Sequence, residues 1–135
     1  MVDRHGVPLA VLLSAANVNE VTMVEEMVDA VEPIKRPRGR PRKRPEKLHA
    51  DKGYDSAANR AALRQRGIVP RIARRGIESS ERLGRYRWVV ERPHGWLNRC
   101  RRLKIRYERR ADIHQAFLHL GCALICWNYM VNMFC

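Results

Sequence analysis

Lys47-Leu48-His49-Ala50-Asp51-Lys52-Gly53-Tyr54-Asp55-Ser56 is the stretch whose reading decides the fold of this chain. A short apolar run, Leu48 to Asp51, reads as a central strand that ends on a carboxylate. A turn on Gly53 follows. Ser56 then caps a helix over Ala57 to Arg66, which stops at Gly67. Ile68 to Ala73 returns as another strand, in which Pro70 marks an edge or a bulge. Rigid backbone at a strand end fixes the oxygens of an aspartate, which suits a hard divalent cation. The same residues also fit plain strand punctuation.

Upstream, Val7 to Ala16 (VPLAVLLSAA) is apolar and reads as a buried strand entered through a His5-Gly6 turn. Asn17 and Asn19 offer caps. Val21, Val24, Met27, Val28 and Val31 recur at helical spacing, which predicts a helix over Glu20 to Val31. Strand, helix, strand, helix, strand is the pattern of an α/β layered fold with some parallel pairing. Between the first helix and the strand before Asp51, Pro33, Pro37, Pro41 and Pro45 interrupt a basic loop at 33–47. Proline at that density excludes helix and sheet and predicts an extended loop. Eight of the thirteen residues from Lys35 to Lys47 are Lys or Arg, including Arg36, Arg38, Arg40, Arg42, Lys43 and Arg44. Such a loop either projects into solvent or lies along a phosphate backbone.

Downstream, a polar segment leads into a helix expected from about Ser80 to Lys104 and kinked at Pro93. Helical spacing places Arg87, Glu91 and Asn98 on one face, a carboxylate among groups that can hold phosphate oxygens. An ordinary surface pair between Arg87 and Glu91, worth a few tenths of a kcal/mol, would look the same. Seven basic residues follow between Arg99 and Arg110, among them Arg101 and Arg102, with Trp96 and Tyr107 close by. This cluster could track nucleic acid through phosphate contacts and stacking. The last segment, Asp112 to Phe134, carries no charge after Asp112. His119, Asn128 and Asn132 interrupt it, so a buried core helix is expected rather than a membrane span.

The composition supports one domain of 135 residues in the globular class. Lys and Arg number 27 against 14 Asp and Glu, a net charge of +13. That excess favours a polyanionic partner, because every phosphate neutralised releases condensed counterions. DNA is therefore the expected partner, and no membrane is. The four cysteines form no disulfide framework or metal pattern, and without a signal peptide a reducing cytoplasm is the default.

At this point the residues carry a resemblance. HADKGYDSAANRAALRQRGIVPRIARR, followed by RYRWVVERPHGWLNRCRRLKIRYERRADIHQAFLHLGCALICW, resembles the C-terminal part of bacterial insertion-sequence DDE transposases, in the IS-five-like branch. The resemblance implies an RNase H-like mixed sheet with flanking helices, here partial, with its N-terminal strands missing. It implies that Asp51 matches the second catalytic aspartate and Glu91 the catalytic glutamate, both ligands of Mg²⁺ or Mn²⁺. Arg87 matches the arginine of the family's Tyr-Arg-Glu-Lys signature, whereas Gly84 and Asn98 stand at its tyrosine and lysine positions.

The first catalytic aspartate has no match, since Asp3 falls where relatives carry a turn. The expectation is a transposase fragment for metal-dependent cleavage and strand transfer at transposon ends, nucleoid-associated in the cytoplasm. It would be inactive alone and partnered by a second copy or an upstream fragment. The competing expectation is a noncatalytic DNA-binding protein whose Arg38-Gly39-Arg40-Pro41 loop resembles an AT-hook.

Overall fold

The computed structural model describes residues 1–35, 37–74 and 84–134. Two compact units emerge. One comprises Met1–Leu13 with Gly84–Cys135 and the other Ser14–Leu83.

The central unit is a βαβ arrangement preceded by a short helix. Asn19 caps a 3-10 turn, Glu20–Met23, with its side chain accepting from the Val21 amide, and α1 (Val24–Asp29) continues it. The helix expected over Glu20 to Val31 is therefore present but opens as a 3-10 turn. β1 (Lys47–Ala50) pairs in parallel with β2 (Val69–Ile72), Lys47 opposite Val69 and Ala50 opposite Ile72. Parallel pairing demands a crossover, and α2 (Ala57–Gln65) supplies it. Ser56 Oγ accepts from the Asn59 amide as N-cap. Gly67 at φ 71° ends the helix, while the Ile68 amide reaches back to the Leu63 carbonyl.

Val24, Val28 and Val31 meet Ala62, Leu63, Ile68, Ile72 and Ala73 in the buried core of this unit. Each large member stabilises the fold by about 1.5–3 kcal/mol relative to exposure. Arg66 on α2 ties back to α1 through Glu25 at 2.9 Å and Asp29 at 2.8 Å.

The basic loop is more ordered than an extended run. Ile34 and Arg42 exchange both backbone hydrogen bonds, at 2.9 and 2.8 Å, and so close an antiparallel bridge. Gly39 turns the tip at φ 89°. Proline excludes a ladder but spares the two amides this single bridge needs, those of Ile34 and Arg42.

In the terminal unit, the strand expected over Val7 to Ala16 does not form. Val2 and Pro8 make an isolated antiparallel bridge, and the amides of Leu9 and Ala10 bond the Met1 carbonyl. The segment is apolar enough for a strand but has no ladder partner among the described residues. α3 (Gly84–Leu97) contains Pro93, as expected, but the helix ends at Leu97 rather than continuing to Lys104. A separate short helix, α4 (Arg101–Lys104), follows. Ser80, the expected helix start, lies outside the described residues.

α5 (Ala111–Phe134) is the predicted long apolar helix. It packs against α3 and α4, where a Cβ on Gly121 would stand 2.8 Å from side-chain carbons of Leu97 and Leu103. The expectation of a buried core helix is not met. Over its apolar window only 11% is buried, and Leu120 and Trp127 are 65% and 61% exposed. An all-round apolar helix needs covering on every side, and α3, α4 and the N-terminal segment, which Gln115 meets at the Val11 carbonyl, leave most of it exposed. By length and composition alone α5 could also cross a membrane.

Candidate functional site

β1 delivers Asp51 to its C-terminal end. The backbone there is extended, at φ −67° and ψ 160°, and Asp51 caps a 3-10 turn over Lys52–Tyr54. Its Oδ1 accepts from the Lys52 amide at 2.7 Å, and the side chain is exposed. The turn is held from behind by a residue that the sequence reading missed. Asn59, 5% exposed on α2, donates Nδ2 to the Val21 carbonyl at 3.0 Å and to the Tyr54 carbonyl at 3.1 Å.

Arg60 adds a second brace, pairing with Asp55 at 2.7 Å and donating to the Ile72 carbonyl at 2.9 Å. Tyr54, half-buried, donates its hydroxyl to Glu20 at 3.4 Å; burial first, then the Glu20 charge, pushes its phenol up. His49, on the strand face with Lys47 and opposite Arg71, is held below its usual range by burial and those two cations. Asp51 therefore leads out of a strongly basic surface on a backbone fixed by side-chain hydrogen bonds.

Glu91 lies exposed on α3 in the other unit, one turn after Arg87. Asn98 falls just beyond the helix, although its amide still reaches the His94 carbonyl at 3.0 Å. The expectation that Arg87, Glu91 and Asn98 share one continuous helix is thus corrected to two helical residues and one in the following turn. A proline-bearing turn cannot carry the hydrogen-bond ladder on unchanged.

The neighbouring Arg92, also missed from sequence, organises this region. Its guanidinium lies 4.9 Å from the ring centres of both Trp88 and Trp96, and it donates to the His5 carbonyl. Arg-aromatic pairs one turn apart on either side are a readable signal, here masked by the neighbouring charges.

The basic residues divide by engagement. Arg38 and Arg40 stand exposed at the loop tip. Arg42 bonds the Arg44 carbonyl at 2.9 Å and approaches Glu46 at 3.9 Å, and Arg44 reaches the Arg66 carbonyl at 3.4 Å. Lys43 is exposed, and Arg36 lies outside the described residues. In the second cluster Arg99 is exposed, Arg101 lies over Tyr107, and Arg102 pairs with Glu108 at 2.5 Å while covering Phe117.

Asp3 is a turn former. Its Oδ1 accepts from the His5 and Val7 amides, both at 2.8 Å. Cys122 and Cys126 on α5 are free thiols pushed up chiefly by burial. Among the described residues no group of three His, Cys, Asp or Glu could hold a metal ion.

Residues 1–128 match the family model described as Transposase DDE domain. Over 126 residues the chain is 58% identical to a Burkholderia cepacia protein named as a transposase for insertion sequence element IS402. That match takes in 93% of this chain and 60% of the relative, so the chain spans about three-fifths of that relative's length. No solved structure matches. With a strand-end aspartate, a helix-borne glutamate and a family match along nearly all of its length, the chain belongs to the DDE transposase family.

Proposed function

We propose that this chain supplies Asp51 and Glu91 as two of the carboxylates of an RNase H-like transposase centre. That centre cuts DNA at transposon ends and joins the freed 3′-hydroxyl to target DNA. The observation that carries the reading is the family match across residues 1–128, in which Asp51 ends a strand of a parallel pair.

The donor chemistry suits Mg²⁺ or Mn²⁺, since both ions take hard oxygen ligands. The set is incomplete. No third acid joins either carboxylate in a metal-sized cluster among the described residues, and Asp3 is committed to its turn. The chain's own part is positional. β1 and the Asn59-braced turn hold Asp51 still, and the flanking cations draw the phosphodiester in.

The test is a DNA-nicking assay with Mg²⁺ or Mn²⁺, run with and without a transposase segment carrying a further aspartate. Nicking is expected only in the complemented mixture, and both Asp51→Ala and Glu91→Ala should reduce it to background. Nicking that ignores both substitutions removes the catalytic assignment.

A second reading rests on the Ile34–Arg42 bridge, which presents Arg38-Gly39-Arg40-Pro41 as a preformed tip. In that reading the chain binds DNA without cutting it, the two arginines entering a narrow minor groove. It predicts preference for A·T-rich duplex that disappears in the Arg38→Gln, Arg40→Gln double variant.

A further inference from the structure

Within the terminal unit, a groove of about 430 Å³ lies between the end of α3 and the second half of α5. That is within the range of roughly 300–1,000 Å³ usual for small-ligand clefts. Its lining combines two aromatic rings, Trp96 and Tyr129, with a guanidinium, Arg99, and two carboxamides, Asn128 and Asn132. We infer that this groove takes an unstacked nucleobase of DNA, its ring plane against Trp96 and Tyr129 and its polar edge against Asn128 and Asn132.

The rings are held in place beforehand. Arg92 stacks on Trp96 at 4.9 Å and is itself anchored on the His5 carbonyl. The His5 ring lies 6.1 Å from that of Tyr129, tilted by 39°. A ring so supported loses little freedom when a base stacks on it, and stacking is tolerant of base identity.

The carboxamides have no other evident purpose. They sit one turn apart on a helix that has no charge after Asp112. Asn is a poorer helix former than Leu or Ala. A groove meant only for apolar chain would gain from apolar residues at 128 and 132. Each carboxamide offers both donors and an acceptor, the complement of a base edge. Arg99 at the rim opens the basic run to Arg110, which attracts the flanking phosphates. The inference rests on the DNA-acting reading and names the part of the DNA this groove would take.

The experiment compares binding of a dT hexamer with an abasic hexamer of equal charge. Bases should tighten binding about 5- to 100-fold, as expected for one or two stacked rings, and Trp96→Leu should erase that advantage. Asn128→Ala with Asn132→Ala changes exposed positions only. It should abolish preference among dA, dC, dG and dT hexamers while leaving abasic affinity unchanged. Arg109 is an exposed member of the same basic run outside the groove, and Arg109→Ala should weaken base-bearing and abasic strands alike.

Equal affinity of the wild-type chain for the dT and abasic hexamers overturns the proposal. So does base preference that survives the double Asn variant. The nicking assay is a separate readout. Lost base discrimination with Asp51-dependent nicking intact defeats only the groove, and nicking indifferent to Asp51 and Glu91 defeats only the catalytic reading.

Discussion

Gly6 lies against the backbone carbonyl of Val89, so close that a Cβ at position 6 would stand 3.0 Å from that oxygen. In an unbroken helix Val89 would accept from residue 93, but Pro93 has no amide hydrogen to give. The N-terminal turn packs onto the carbonyl that proline frees, and Gly6 adopts φ 81° to do so. Gly6→Ala meets both the steric and the backbone obstacle, whereas Gly67→Ala at φ 71° meets open space and only the backbone one. The left-handed backbone alone costs about 1–2 kcal/mol. Urea denaturation should place Gly67→Ala near that value and Gly6→Ala above it. Equal losses would mean that the Val89 approach adds nothing.

Asn59 is a buried polar residue in the core of the βαβ unit, and it joins the start of the 3-10 turn before α1 to the turn after Asp51. Asn59→Ala leaves the Val21 and Tyr54 carbonyls without that donor. A loss of about 1–3 kcal/mol is expected from denaturation midpoints. Because the turn carries Asp51, complemented nicking should fall further than the unfolded fraction explains. Activity tracking stability alone would remove Asn59 as a positioning residue.

Glu108 is 6% exposed at its side chain, bonded to Arg102 at 2.5 Å and 3.9 Å from the His114 ring nitrogen. Burial favours its neutral form, but the Arg102 hydrogen bond, with its own backbone and the nearby charges, outweighs this and holds the carboxyl below its ordinary 4.5. A depressed carboxyl contributes stability that is complete above the unfolded value and is lost as pH falls through the folded one. The melting temperature should therefore drop on acidification below about pH 4.5. Asp29 and Asp112 are depressed too, chiefly by hydrogen bonds from Arg66 and Arg110. The difference between wild type and Glu108→Gln isolates Glu108, and that difference should shrink as pH falls. A gap independent of pH would rule out the linkage.

The βαβ unit was legible because its signals are local. Ser56 caps, Gly67 stops, and Leu48 to Asp51 is bounded on both sides, so each boundary falls within a residue or two of its expected place. Val7 to Ala16 misled because apolar content cannot show whether a ladder partner exists, and here the amides turn back to Met1. α5 misled in the same way, since an all-round apolar helix promises burial without naming what covers it. The place of Asp51 at the end of a strand could also be read. The place of Asn59 could not, because a buried Asn between Ala58 and Arg60 looks like a polar helix surface until its acceptors, 38 and 5 residues away, are placed.

The loop tip offers the sharpest test of the proposed DNA contacts. Arg42 and Arg44 bond backbone carbonyls within the unit, whereas Arg38 and Arg40 flank Gly39 at an exposed turn closed by the Ile34–Arg42 bridge. A preformed tip surrenders little chain entropy on binding. Each phosphate contact removed should lower the slope of log affinity against log salt by about 0.9. Neutralising Arg38 and Arg40 to Gln should therefore cut the slope for duplex DNA by nearly two, measured by fluorescence anisotropy from low to moderate salt. Arg42→Gln should change it less, and should instead loosen the loop through the lost Arg44 contact. A slope unmoved by the double variant would transfer the electrostatic role to the run from Arg99 to Arg110, where Arg109→Ala becomes the discriminating change.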